Sequence, residues 1–189
     1  MRHPSQVTIR SADPERDAEA IAAIYRPAVE FSVASFEDVA PDASEMAHRI
    51  RRTLDRMPWL VAGDDAGRVL GYAYAGAHRE RAGYRWSVDI SAYVDQDRLG
   101  RGVGRRLYES LLPILRRQGF VNVYAGIALP NAASIALHEA IGMRRIGVYE
   151  AIGYKFGAWH DVAWYGMRCI EPTDPPCDPI PLPNLLELP

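Results

Sequence analysis

Arg98-Leu99-Gly100-Arg101-Gly102-Val103-Gly104 is the stretch that decides how this chain folds. Trp86 to Val94 precedes it with a β-like pattern, and Arg105 to Gln118 follows it with a helix-like one. Three glycines therefore fall where a strand hands over to a helix. Without a Cβ in the way, backbone N–H groups there can turn inward. The first turn of the helix adds N–H groups that no intrahelical carbonyl can reach. Such a junction suits an anion, phosphate above all. Plain turn geometry also produces glycine-rich loops, so spacing alone leaves both readings open. Two better-known phosphate loops are excluded. A nucleotide-binding P-loop closes on Gly-Lys-Ser/Thr, whereas Arg105-Arg106 follows the last glycine here. The dinucleotide fingerprint is G-x-G-x-x-G, and these glycines run G-x-G-x-G.

Outward from the loop, the pattern predicts one α/β domain with a mixed layer. On the N-terminal side, Val7 to Arg10 reads as a strand. Asp13 then caps a helix with Pro14 at its first position, and apolar residues from Ala18 to Val29 recur at helical spacing to about Glu30. The segment 31–41 has no clean period. A second helix starts after Asp42-Ala43-Ser44-Glu45, buries Met46, Ile50, Leu54 and Met57, and ends at Pro58. These two helices either cover one face of a sheet or, through their irregular join, form a lid. Trp59 to Ala62 and Val69 to Ala77 are strands around an Asp64-Asp65-Ala66-Gly67 hairpin turn. A loop from His78 to Gly83 leads to a strand expected over Tyr84 to Val94. The helix 105–118 buries Leu107, Leu111, Leu112 and Leu115, with Pro113 predicting a kink or a local distortion. Val121 to Ile127 is a strand, and Asn131 to Ile141 a short helix with Gly142 as its C-cap. Met143 to Tyr154 and Val162 to Ile170 read as strands, with 153–161 between them as a connection. The domain runs over 1–170. Seven of the 14 prolines fall in 171–189, which reads as an extended or disordered arm that Leu182, Leu185, Leu186 and Leu188 could anchor.

Composition narrows the function by exclusion. A chain of 189 residues with net charge −2 carries no polyanion signature, so no nucleic-acid partner is expected. Two cysteines make no disulfide framework, and no metal-ligand spacing is present, so no metal is expected. No apolar run is long enough to span a membrane. Met1 to Arg10 is too polar for a signal peptide, so a cytoplasmic location is expected.

The chain resembles the GNAT superfamily, the GCN5-related N-acetyltransferases, and within it the phosphinothricin or methionine sulfone N-acetyltransferase group. The likeness spans roughly 7 to 170. It rests on Tyr84-Arg85-Trp86-Ser87-Val88-Asp89, on Tyr93-Val94, on the loop 98–104, and on Leu129-Pro130-Asn131 with Ser134, Leu137, His138, Glu139 and Gly142. Gly153-Tyr154-Lys155, Gly157 and Trp159-His160-Asp161-Val162 complete it. The resemblance implies a mixed, splayed sheet of about seven strands flanked by about four helices. It implies acetyl-CoA in a notch between two central parallel strands, with the pyrophosphate on the glycine loop. The cofactor-binding residues it implies are Tyr93, Val94, Leu99, Gly100, Arg101, Gly102, Val103, Gly104, Asn131 and Ser134. Leu99 stands where the family pattern prefers Gln or Arg, so Arg98 and Arg101 are the basic groups on offer. A homodimer joined through the C-terminal strands is also implied.

Forming an amide from a thioester needs a neutral amine, a proton acceptor, donors for the oxyanion and a proton for the thiolate. Asp89 is a carboxylate in a strand otherwise fit for burial, which is costly unless it is used or paired. The resemblance puts the family's catalytic glutamate there; the alternative is a structural ion pair. His138 is the second catalytic candidate, either contacting substrate and delivering a proton or merely fixed beside the site. Asn131 also reads as an N-cap. The acceptor pocket implied by the resemblance draws on Phe36, Glu37, Arg81, Tyr84, Lys155 and Trp159, with Arg81 or Lys155 as the cation for an acceptor carboxylate. Those aromatic residues are equally compatible with core or dimer contacts. The expected reaction is acetyl transfer to the amine of a small amino-acid-like acceptor. Another amine (a polyamine, a drug or a protein N-terminus) is the alternative, and a non-catalytic acetyl-CoA-binding protein a third.

Overall fold

The computed structural model describes residues 7–186. Seven strands form one mixed sheet in the order β1-β2-β3-β4-β5-β7-β6. They are β1 (Thr8–Ser11), β2 (Trp59–Gly63), β3 (Val69–Ala77), β4 (Ser87–Val94), β5 (Asn122–Ala128), β6 (Arg144–Lys155) and β7 (Ala158–Arg168). Helices α1 (Pro14–Glu30) and α2 (Ala43–Leu54) cover one face; α3 (Val103–Gln118) and α4 (Ala132–Ala140) pack on the other. The single-domain α/β class with its mixed, splayed sheet is as expected.

Each helix start has a local cause. The Asp13 side chain accepts from the N–H groups of Glu15 and Arg16, with Pro14 fixing the first φ of α1. Asp42 accepts from Glu45 N–H, and Asn131 from Ser134 N–H, so α2 and α4 begin on side-chain caps. The start of α3 has no side-chain cap; Gly102 sits there at φ 77°.

The sheet has one parallel pair, and it positions everything else. β4 and β5 pair through only three rungs, Ser87 with Asn122, Val88 with Val123 and Asp89 with Tyr124. Beyond Asp89 they part. β4 goes on pairing with β3 as far as Val94, and β5 with β7 as far as Ala128. The notch between them opens beside the start of α3. On β4, Val88 and Ile90 enter the core under α3, while Tyr93 packs with the α1–α2 core.

Four local expectations are corrected. The strand expected from Tyr84 begins at Ser87, because Ala82–Tyr84 closes into a 3₁₀ turn with Tyr84 N–H on the Arg81 carbonyl at 2.9 Å. α3 starts at Val103 rather than Arg105, since the left-handed Gly102 turns the chain immediately. It runs to Gln118 with Pro113 inside, and α2, expected to end at Pro58, ends at Leu54. The 153–161 stretch is no loop. Phe156 and Gly157 take φ 53° and 78°, a two-residue hairpin turn that carries β6 straight into β7.

Over 171–186 the chain lies on the body. Ile180 N–H bonds the Gln118 carbonyl at 2.8 Å and Leu182 N–H the Arg56 carbonyl at 3.1 Å. The buried Gln118 amide nitrogen donates to the Arg56 and Ile180 carbonyls at 2.7 and 2.8 Å. A short helix, α5 (Leu182–Leu186), buries Leu182 and Leu185. Leu188 lies outside the described residues.

Candidate active site

Where β4 and β5 part there is a cavity of about 370 Å³. Tyr93, Val94, Leu99, Gly100, Gly102, Val103, Gly104, Asn131 and Ser134 line it; Arg101 does not. Its floor is the first turn of α3, whose leading N–H groups have no intrahelical partner. Its rim carries Arg98 and Arg105. Arg98 Nε is buried without a partner, a donor left for a ligand to satisfy. A Cβ on Gly102 would meet no protein atom within 4 Å, so the space above this glycine is open to a ligand. Unpaired N–H groups, an orphaned guanidinium nitrogen and apolar walls from Val94, Leu99 and Leu137 fit a phosphate-bearing ligand with a slender apolar arm.

His138 also lines this cavity. Its Nδ1 lies 2.7 Å from the Ser134 carbonyl, which can only accept, so Nδ1 carries the hydrogen. Nε2 then accepts from the Tyr108 hydroxyl at 3.1 Å. Burial lowers the pKa of His138, keeping it neutral, and pushes the Tyr108 hydroxyl far up. Both ring nitrogens are therefore engaged, and the polar group that His138 supports at the cavity wall is Tyr108.

Asp89 stands at the apex, on the last rung before the strands separate. Its Oδ1 is 2.6 Å from Nδ1 of His78. Burial raises the Asp89 pKa above the usual carboxylate range, and the bond from His78 works against that rise. The His78 ring lies over β5, 4.6 Å from the Tyr124 ring, and stands edge-on to Trp164 of β7 at 5.7 Å. Next to Asp89 on the same face, Ser91 stands opposite Tyr74 across the β3–β4 ladder.

The six acceptor-pocket candidates separate. Glu37 is held by the two terminal Arg49 nitrogens at 2.8 and 3.0 Å and by the Tyr25 hydroxyl at 2.8 Å. The Arg49 bond lowers the pKa of its carboxylate; Tyr25, mostly through burial, is pushed up to about 12. Phe36 packs against the backbone of Gly153, where a Cβ would come within 2.4 Å of its ring. Lys155 is not free for a substrate. Its Nζ donates to the carbonyls of Val29, Ser32 and Ser35 at 2.6, 3.2 and 2.6 Å, which uses all three ammonium hydrogens. Arg81 and Tyr84 share a second cavity, about 480 Å³, whose wall also holds His78. Trp159 lies at the tip of the β6–β7 hairpin, edge-on to Tyr154 at 5.3 Å, away from both cavities.

Sequence reasoning missed His78 and Tyr108. For His78 a signal existed: Tyr72, Tyr74, Gly76 and His78 keep a period of two, so the last continues the face of β3 past its end. Tyr108 had none, since on α3 it reads as one more apolar residue.

The family model described as "Acetyltransferase (GNAT) domain" matches residues 9–164. The phosphinothricin N-acetyltransferase of Streptomyces viridochromogenes is 39% identical over 160 residues, 85% of this chain and 86% of its own. The L-methionine sulfoximine/L-methionine sulfone acetyltransferase of Pseudomonas aeruginosa is 38% identical over 158 residues, covering 83% and 91%. Among solved structures, a GNAT superfamily phosphinothricin acetyltransferase from Sinorhizobium meliloti in complex with AcCoA superposes with a TM-score of 0.83. It is 35% identical and covers 90% of this chain and 95% of that one.

Proposed function

This chain belongs to the GNAT acetyltransferase family, and from that premise we propose that it moves an acetyl group from acetyl-CoA to the amine of a small amino-acid-like acceptor. Phosphinothricin, methionine sulfone and methionine sulfoximine, the compounds for which its relatives are named, define the acceptor type. The observation that carries this reading is the parted β4–β5 pair opening onto the glycine loop, with an orphaned Arg98 nitrogen beside it. The loop N–H groups and Arg98 would take the pyrophosphate. Main-chain groups of Tyr93 and Val94 would run beside the pantetheine arm, and Tyr108, fixed by His138, stands in the same wall. With Lys155 engaged on main-chain carbonyls, the cation for an acceptor carboxylate is Arg81, which lines the same cavity as Tyr84. The base function falls to the Asp89 carboxylate and the imidazole bonded to it.

The exposed side chains of the β6–β7 hairpin support a homodimer. Ile146, Tyr149, Ile152, Tyr154, Phe156 and Trp159 are all exposed there, on the open edge of the sheet.

Release of free CoA thiol over an amine panel tests the acceptor. Phosphinothricin, methionine sulfone and methionine sulfoximine should exceed spermidine and an unmodified peptide N-terminus by at least tenfold in kcat/KM. Equal or higher turnover of spermidine or the peptide overturns the assignment.

A further inference from the structure

We propose that the proton-accepting atom of this site is Nε2 of His78, held in position by the Asp89 carboxylate; this rests on the acetyl-transfer reading above. Three observations carry it. First, Nδ1 of His78 and Oδ1 of Asp89 are 2.6 Å apart. An ionised carboxylate only accepts, so Nδ1 carries the hydrogen and Nε2 keeps its lone pair. A carboxylate bonded to one ring nitrogen to orient the other is the arrangement a histidine base needs. Second, the ring occupies the right place. It starts from β3, bonds β4 at the last rung and lies over Tyr124 of β5, so it spans the two strands where the notch begins. Nε2 has no partner among the described residues. Third, His78 forms part of the wall of the cavity that holds Arg81 and Tyr84. It thereby links the acceptor's expected location to the apex of the acyl-donor notch. Aspartate is one methylene shorter than glutamate, and the imidazole supplies the reach that the shorter side chain lacks.

The step balances as follows. The acceptor arrives as an ammonium ion and gives one proton to Nε2, leaving a neutral amine. Its lone pair forms the N–C bond to the thioester carbonyl. The C–S bond breaks, and the second proton on nitrogen passes to the thiolate. His78 then returns its proton to solvent, so one amide, one CoA thiol and one proton result. The charged and titratable groups around the ring are Asp89 on β4, Tyr124 on β5 and, from the loop that shares its cavity, Arg79, Glu80, Arg81 and Tyr84.

The test is kinetic and spectroscopic on the full-length chain, with phosphinothricin and methionine sulfone as acceptors. His78→Gln should fold, bind acetyl-CoA as the parent does and lose roughly 10²–10⁴-fold in kcat/KM. Asp89→Asn should lose less, and the acid limb of its kcat/KM profile should move to lower pH, because the imidazolium has lost its anion. If His78→Gln stays within threefold of the parent while Asp89→Asn is inactive, the carboxylate is the base and the proposal fails. ¹⁵N NMR of labelled histidine reads the pair whether or not any acceptor turns over. His78 should be the Nδ1–H form, and its titration midpoint should fall in Asp89→Asn. An Nε2–H form, or a midpoint that Asp89→Asn leaves in place, overturns the dyad. A parent enzyme silent on every amine refutes the acceptor reading instead, and the NMR result then decides the dyad by itself.

Discussion

Lys155 carries its charge at a site only 8% exposed, and what it meets there is not an anion but the main chain. The Val29, Ser32 and Ser35 carbonyls come from the end of α1 and the irregular segment after it, so one ammonium gathers a stretch that has no secondary structure of its own. Removing it leaves buried carbonyls without a donor, each costing about 1–3 kcal/mol. Lys155→Met should therefore destabilise the protein by on the order of 3 kcal/mol, a Tm fall of roughly 6–12 °C for a chain of this size. Calorimetry checks this. An unchanged Tm together with a raised KM for the acceptor would show that Lys155 meets substrate after all. The same comparison explains what was readable at this scale. Residue chemistry was: a carboxylate at 89, a histidine at 138 and a choice of cations. Partnership was not, because His78 and Asp89 are 11 positions apart, Tyr108 and His138 30, and Lys155 and Val29 126. Which cation is already committed depends on contacts that no local pattern records.

At the level of elements, the glycine loop shows why local and global signals agree. Gly102 ends the loop at φ 77° and starts α3, so a single left-handed residue both points the first-turn N–H groups at the cavity and sets the helix axis. Strand alternation, caps and glycines act within a few residues, and for that reason α1, β3 and α4 were legible nearly to the residue, whereas α2 stops at Leu54, short of the expected Pro58. The hairpin at Phe156-Gly157 was not, because a non-glycine residue at φ 53° breaks the expected turn pattern. Nor was the seating of the proline-rich segment on Gln118 and Arg56, which only the folded body provides. Gly102→Val tests the loop. The new side chain meets no protein atom, so the cost is the left-handed conformation, about 1–2 kcal/mol or somewhat more for a β-branched residue, plus obstruction of the anion site. We expect a modest fall in Tm and a loss of acetyl-CoA affinity of at least tenfold by titration calorimetry. Affinity within twofold of the parent would place the coenzyme elsewhere.

For the molecule as a whole, the sheet has two unequal edges. β1 is four residues long, and α1 follows it at once. β6 is twelve residues long, its outer side has no neighbouring strand among the described residues, and it is irregular, with register shifts after Arg145 and Tyr149 and with Ala151 at φ 47°. Such irregularity discourages open-ended strand addition. It does not hide the apolar side chains, of which Ile146, Ile152, Tyr154 and Trp159 are each more than half exposed. In the proposed homodimer this face would meet a second copy of itself by side-chain packing about a two-fold axis, closing the assembly at two chains. A stable pairing buries about 800 Å² per partner, a span that the hairpin, 12 and 11 residues in its two strands, is long enough to supply. Light scattering at micromolar concentration should therefore return twice the 21.1 kDa chain mass. Ile152→Glu combined with Trp159→Glu should return the single-chain mass with the far-UV circular dichroism unchanged, since both side chains face outward and support no core. A parent protein that scatters as one chain refutes the homodimer, and a double variant that stays dimeric moves the interface off this hairpin.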